Sequence, residues 1–306
     1  MTGAPCEPLV SIGVPVRNGG ATLAQALGTV VAQTYRNLEI IISDNGSTDN
    51  TSTICGEFAR RDARVRSVRQ PRPLNALQNF RYLVEASRGA FFMWAAHDDL
   101  RSENYVDTLV RGFARVPNAS LCFSEVREFE RHDRWQSAAP VDHDFETIGL
   151  GFPARVRKQT RIGCTHVYGL LNAAYLREYP WYDIEDGPDV AMLLWLGTRG
   201  PLVREPGATF YYHRPPGRDA EMRARETNYG RLKPFHKERL AWLCAVAVED
   251  AARRSGAPIG RLRAFPRLYL NIVQGLKGLV FTWLPPAVRA ALRRRSARRL
   301  SHATVG

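Results

Sequence analysis

Apolar residues along this chain follow two rhythms, one unbroken and one recurring every three to four positions. Residues 9 to 16, LVSIGVPV, are an apolar, β-branched run that stops at the polar RNGG, as a strand buried on both faces does. Behind it, Leu23, Ala26, Leu27, Val30 and Val31 recur at helical spacing. LEIIIS (38 to 43) repeats the strand pattern, and DNGSTDNT offers Ser, Thr and Asp residues suited to the start of a helix bearing Ile54 and Phe58. RVRSVRQ predicts a short third strand, Phe80, Leu83 and Val84 a third helix, and AFFMWAA after Gly89 a fourth strand running to Asp98 and Asp99. This alternation predicts an α/β fold: a mostly parallel sheet with helices on both faces, whose ligands bind beyond the carboxyl ends of the strands. The loops RNGG, DNGSTD and HDD therefore bring polar residues to one edge.

From about residue 120 the rhythm loosens. LCFSEVREFE predicts a strand with an alternating polar face, 131 to 160 a polar, proline-containing connection, and 165 to 213 a return to order ending in ATFYYHRPPGR. Beyond Lys233, Leu240, Leu243, Cys244, Ala247, Val248 and Ala251 share a helical face, stopped at RRSGAP. A second amphipathic pattern runs from Tyr269 through Ile272, Val273, Leu276, Leu279, Val280 and Trp283 to Leu284, with Asn271, Gln274 and Lys277 opposite. It is too short and too polar to span a bilayer, which takes ~20 mostly apolar residues. Arg289, Arg293, Arg294, Arg295, Arg298 and Arg299 follow without an acid. Such a run is either a solvated tail or a patch that holds the apolar helix on anionic lipid, at about 1 kcal/mol per basic residue near the surface.

Charge adds one constraint. Lys and Arg number 43 against 30 Asp and Glu, so the 306-residue chain carries a formal +13, which points to an anionic partner. Nucleic acid is not the expected one, because the arginines are scattered and no RNP, helix-turn-helix or zinc pattern occurs. The five cysteines (Cys6, Cys55, Cys122, Cys164, Cys244) are far apart and form no CxxC or Cys/His set, which fits reduced thiols in a cytosol. No basic segment precedes the first apolar run, so the expectation is a cytoplasmic protein, peripheral on the inner face of the cell membrane.

Three clusters could carry chemistry. Adjacent carboxylates such as Asp98 and Asp99 repel each other and suit a divalent cation that bridges them to phosphates; equally, Asp99 or Ser102 could cap a helix starting near Glu103. Asp44, in SDNGSTD, ends the second strand where a carboxylate can meet a base or ribose, with Gly46 allowing a close turn, although ordinary strand-to-helix loops look alike. Asp183, Glu185, Asp186 and Asp189 precede an apolar helix with Val190, Leu193, Leu194 and Leu196 on it, as capping charges or as a general base toward a hydroxyl. No GxGxxG follows the first strand and no phosphate-binding GxxxxGK followed by Ser or Thr occurs anywhere.

VSIGVPVRNGGATLAQALGTVVAQTYRNLEIIISDNGSTDNT, followed by RGAFFMWAAHDD and PDVAMLLWLGTRG, resembles the family 2 glycosyltransferases of GT-A fold over roughly residues 9 to 215. WAAHDD and YGLLNAAYLRE are similar to a bacterial subgroup of unassigned substrate. The resemblance implies a GT-A, Rossmann-like domain over 1–230, with a nucleotide-binding half near 9–125 and an acceptor half near 126–230, and a helical extension over 231–306. It also implies that Pro15, Val16, Arg17, Asn18 and Asp44 line a nucleotide pocket, that Asn79 lies on its side of the cleft, and that Asp98 and Asp99 bind ribose and a divalent metal, Mn2+ or Mg2+. Asp189 matches the catalytic base and His213 a late metal ligand. The chain departs from the pattern at Ala96, where an acid is usual, at His97, Arg17 and Asn75, and at Pro188, which makes Glu185 and Asp186 rivals of Asp189. The absence of a QxxRW pattern argues against a processive synthase.

The implied reaction is an inverting, metal-assisted transfer of a sugar from a UDP, GDP or dTDP donor to a glycan or lipid-linked acceptor in cell-envelope synthesis. A catalytically inactive module that binds a sugar nucleotide or glycan is the alternative.

Overall fold

Seven consecutive residues of the first strand, β1 (Val10–Val16), are buried, as its unbroken apolar run predicts. β2 (Leu38–Asp44) is sealed along its whole length too. In the computed structural model the described residues are 7–141, 145–151, 154–155, 158, 164–181 and 188–217. Asp183, Glu185 and Asp186 therefore lie outside them, as do the expected C-terminal helix and basic run. The chain divides into two units, Met1–Arg225 and Glu226–Gly306, and every described residue belongs to the first.

β1 pairs in parallel with β2 and with β4 (Phe91–Trp94), and β2 with β3 (Val65–Arg69). β8 (Leu170–Asn172) lies antiparallel between β4 and β6 (Leu121–Phe129), so two reversals return β6 to the direction of β4. β9 (Leu202–His213) runs parallel to β6, while β5 (Leu100–Arg101) pairs antiparallel with β9 and β7 (Ala139–Val141) antiparallel with β6. The order is β3-β2-β1-β4-β8-β6-β9-β5 with β7 beside β6. β1 to β4, β6 and β9 thus all end at the same edge.

Even-numbered residues of β1 pack with α1 (Leu23–Val31), α2 (Thr51–Arg61) and α4 (Tyr105–Arg115) through Leu23, Leu27, Val30, Cys55, Tyr105 and Leu109. Gly13 faces the other way, where an added Cβ would meet Leu83 of α3 (Ala76–Glu85) at 2.9 Å and the Phe92 ring at 2.7 Å. Helices therefore cover both faces. Asn75 starts α3 with a reciprocal cap: its side chain accepts from the Gln78 N–H at 2.8 Å and its own N–H donates to Gln78 Oε1 at 3.1 Å.

β8 leads into α5 (Ala173–Arg177), and α6 (Pro188–Arg199) packs on α5 and on the 3-10 turn Cys164–Tyr168. Gly200 ends α6 against another strand's entry: a Cβ there would lie 2.1 Å from the Asn118 carbonyl oxygen. That close approach gives a physical reason for the RG pair. Among the described residues no helix is long and apolar enough to cross a membrane.

Candidate active site

Two loops at the strand-end edge are fastened to each other. After β1, Asn18 takes a left-handed φ of 52°, turning its N–H to Ser47 Oγ and its Oδ1 to the Thr48 N–H, each at 2.9 Å. The Gly19 N–H donates to Thr51 Oγ1 and that of Gly20 to Asp49 Oδ2, also at 2.9 Å. Pro15 pairs with Ser43 and Val16 with Asp44 across β1 and β2. Pro15, Val16, Arg17, Asn18 and Asp44 are thus brought together, with Arg17 and Asn18 exposed.

Asp44 is 1% exposed and already engaged. Its carboxylate accepts from the Ser47 N–H at 2.9 Å and from the Ser52 hydroxyl, and pairs with Arg69 at 3.3 Å. Burial works against its charge, but the Ser47 and Ser52 hydroxyls, the Ser47 N–H and the Arg69 guanidinium outweigh it and hold the carboxyl below its ordinary value. Asn79 is tied to the same strand end, since Ser43 Oγ donates to its Oδ1 at 2.6 Å and receives Gln70 Nε2 at 2.8 Å.

β4 stops at Trp94, and Asp98 and Asp99 occupy the turn before β5 instead of the strand end itself. Neither caps a helix: α4 begins at Tyr105 behind Asn104, and Asp99 Oδ1 accepts the His213 N–H at 2.8 Å. Asp98 is the accessible member, at 28% against 1% for Asp99, and its Oδ2 lies 3.3 Å from His213 Nδ1. The structure therefore brings His213 to Asp98 and Asp99, more than a hundred positions away in sequence. His97 Nδ1 meets Thr22 Oγ1 at 3.1 Å, tying the doublet's turn to the start of α1.

Two residues of this region carry no motif in the sequence. Arg101, two residues after Asp99, is 3% exposed; it donates to the Trp94 carbonyl at 2.9 Å and lies over the Phe210 ring at 5.1 Å. Burial lowers its pKa, and Tyr105, Asp99 and Tyr168 oppose that. His132, after β6, stacks edge-on to His213 with ring centroids 4.5 Å apart. Burial pushes its pKa down, with His213 and His97 acting the same way and Asp98 opposing.

Asp189 stands in the first turn of α6, half-buried. That helix is joined to the doublet's strand by rings: Trp94 to Trp181 at 6.3 Å, Trp181 to Tyr179 at 5.5 Å, and Tyr179 to Trp195 of α6 at 6.1 Å.

The sequence profile described as Glycosyl transferase family 2 matches residues 11–179, which hold this strand order from β1 through the aspartate turn to α5. The chain belongs to glycosyl transferase family 2. It is 37% identical over 101 residues to Glycosyltransferase GlyG of Streptococcus pneumoniae serotype 4, covering 33% of this chain and 34% of that one. It is 32% identical over 115 residues to an uncharacterized glycosyltransferase, RT0329, of Rickettsia typhi, covering 38% and 35%. The matched stretch thus spans about a third of the length of these relatives. Among solved structures, S. aureus TarS 1-349 in complex with UDP superimposes with a TM-score of 0.60 at 10% identity, covering 94% of this chain and 87% of that one. At that identity the likeness is one of fold, and the fold is the GT-A type.

Within this family 2 chain, the expected nucleotide-side residues and the aspartate turn share the sheet edge that ends β1, β2 and β4. β6 and β9 bring His132 and His213 to it from the second half.

Proposed function

We propose that this chain is an inverting glycosyltransferase that moves a sugar from a nucleoside diphosphate sugar to a hydroxyl of a glycan or lipid-linked acceptor. One observation carries the reading: in a family 2 chain, the accessible carboxylate of Asp98, the sealed one of Asp99 and His213 converge in the turn beyond β4. Pro15, Val16, Arg17, Asn18 and Asp44 line the nucleotide side, with Asp44 near the base, Asn79 behind it and Asp98 toward the ribose. The TarS structures, solved with UDP and with UDP-GlcNAc, are in keeping with a nucleoside diphosphate donor.

Asp189 is assigned the base. Its carboxylate takes the acceptor hydroxyl proton as that oxygen bonds to the anomeric carbon, and the bond from that carbon to the diphosphate breaks with its electron pair on the departing oxygen. A divalent cation, Mn2+ or Mg2+, fits Asp98, Asp99 and His213 in kind, as carboxylate and imidazole donors. Among the described residues no three His, Cys, Asp or Glu side chains stand where they could hold a metal ion together, so the assignment rests on donor chemistry alone. Bound there, the cation would neutralise the leaving diphosphate. The acceptor assignment draws on the amphipathic and basic C-terminal pattern, which favours work at the inner face of a membrane.

Ala96 and Pro188, where acids are usual, favour a second reading, an inactive sugar-nucleotide or glycan-binding module. Thermal unfolding against a panel of nucleotides and nucleotide sugars, each with Mn2+, Mg2+ or EDTA, tests the donor site. A ligand at 100 times its Kd adds about 2.7 kcal/mol. A metal-dependent rise with one nucleotide family is expected in the wild type and is lost in Asp99→Ala. No rise with any ligand would sink the donor assignment, and hydrolysis of the bound sugar nucleotide would exclude the inactive module.

A further inference from the structure

Arg101 is a buried cation where the fold asks for none. β5 is two residues long: Leu100 packs with Ala26, Phe129 and Ala138, while Arg101 lies on the Phe210 ring at 5.1 Å, with the Tyr105 and Tyr168 rings 6.4 and 5.4 Å from that ring. Taking a guanidinium out of water is costly, and only a full set of hydrogen bonds with a well-placed counter-charge offsets it. Arg101 is 3% exposed and donates from Nη2 to the Trp94 carbonyl at 2.9 Å, but Nε and Nη1 are buried with no hydrogen-bond partner among the described residues. A methionine would fill the same apolar space without that cost.

The strands do not depend on this bond. β4 is set by its pairing with β1 as far as Trp94 and by the Ala95 N–H on the Gly13 carbonyl at 2.9 Å, and β5 by its pairing with β9. What the bond adds lies between them. Trp94 is the last residue of β4 and Arg101 the last of β5, so the bond closes 95–100 into a loop that carries Asp98 and Asp99. Asp99, attracted by the guanidinium, is sealed at 1% with Oδ1 on the His213 N–H, and Asp98 is left at 28%. A binding group carried on a turn is precise only when the groups that hold the turn are themselves fixed.

We infer that Arg101 is the positioning residue of the aspartate turn: its guanidinium ties Trp94 to β5 and offsets the sealed charge of Asp99, so that Asp98 is the carboxylate presented to the donor. The donor part rests on the proposed reading of this turn as part of a nucleoside diphosphate site; the hold on the turn does not. Arg101 acts through its neighbours and makes no contact with substrate itself.

The test reads variants of the full chain twice, by hydrogen exchange without ligand and by binding of UDP, GDP and dTDP with Mn2+ present. Arg101→Met fills the space with neither charge nor donor. It should speed exchange about tenfold or more in peptides covering 95–99 and His213, leave β1 and β2 unchanged, and weaken binding about 10- to 100-fold. Arg101→Lys, which keeps a charge and one donor for the Trp94 carbonyl, should restore most of both. Leu109→Ala, a cavity made in α4, should lower the melting temperature without moving either readout, which separates positioning from lost stability. Unchanged exchange and affinity in Arg101→Met would overturn the inference and leave the donor site standing. In a wild type that binds, either readout moving alone would overturn it as well. A wild type that binds none of the three, with the turn still loosened in Arg101→Met, would sink the donor reading and keep the hold on the turn. Should Arg101→Met fail to fold, Arg101→Gln, neutral and of shorter reach, decides, and full affinity with unchanged exchange there rejects the assignment.

Discussion

Asp189, proposed as the general base, sits half-buried in the first turn of α6. Replacing it with Asn keeps the shape and removes the proton acceptor, so kcat should fall by roughly 10² to 10⁴ while donor affinity stays nearly unchanged. Steady-state rates alongside donor binding in Asp189→Asn check this, and normal turnover would take the base role away from it. At this scale the sequence is legible where chemistry clusters locally. The aspartate doublet and the DNGSTD loop stand out because several polar residues interrupt apolar strands together. Arg101 and His132 do not, because each is a lone residue among ordinary neighbours, given meaning only by β9 and α1 folding against it.

The loop between β2 and α2 is organised by one buried carboxylate. Asp44 binds the Ser47 N–H, the Ser52 hydroxyl and Arg69, so it ties the end of the strand to the first turns of the helix. Asp44→Asn should lower stability by about 2 kcal/mol, the scale of hydrogen bonds to a charged group. Its folded pKa lies below the ordinary 3.8, so the contribution is complete above that value and is lost as pH falls through the folded pKa. Thermal unfolding of both proteins should show a constant gap from about pH 7 to 5 that narrows below about pH 4. A gap that stays the same in acid would refute this account. The parallel strands β1, β2 and β4 and their helices are plain in the sequence, since burial on both faces writes an unbroken apolar run. The strands β5, β7 and β8 are not, being only two or three residues long. Such strands are defined by the partner that supplies their hydrogen bonds, which for β8 and β5 lies about 50 to 110 positions away, and no local pattern records it.

For the whole chain, the proposed work at an anionic membrane surface rests on the formal +13 and the arginine run from Arg289 to Arg299. The full chain should partition onto anionic liposomes in a salt-dependent way, and a form lacking residues 266–306 should not. Equal partition of the two in a sedimentation assay would remove the membrane from the proposal. The fastened loops at residues 17–22 and 45–52 carry a consequence of another kind. Hydrogen bonds spanning about thirty positions hold Asn18, Gly19 and Gly20 against Ser47, Thr48, Asp49 and Thr51 through the chain's own groups. The conformational entropy of this wall is therefore surrendered during folding, and little remains to be lost when a ligand arrives. Under the proposed function, selectivity on this side would then come from the shape of a pre-formed wall, which accepts or rejects a guest without first closing around it.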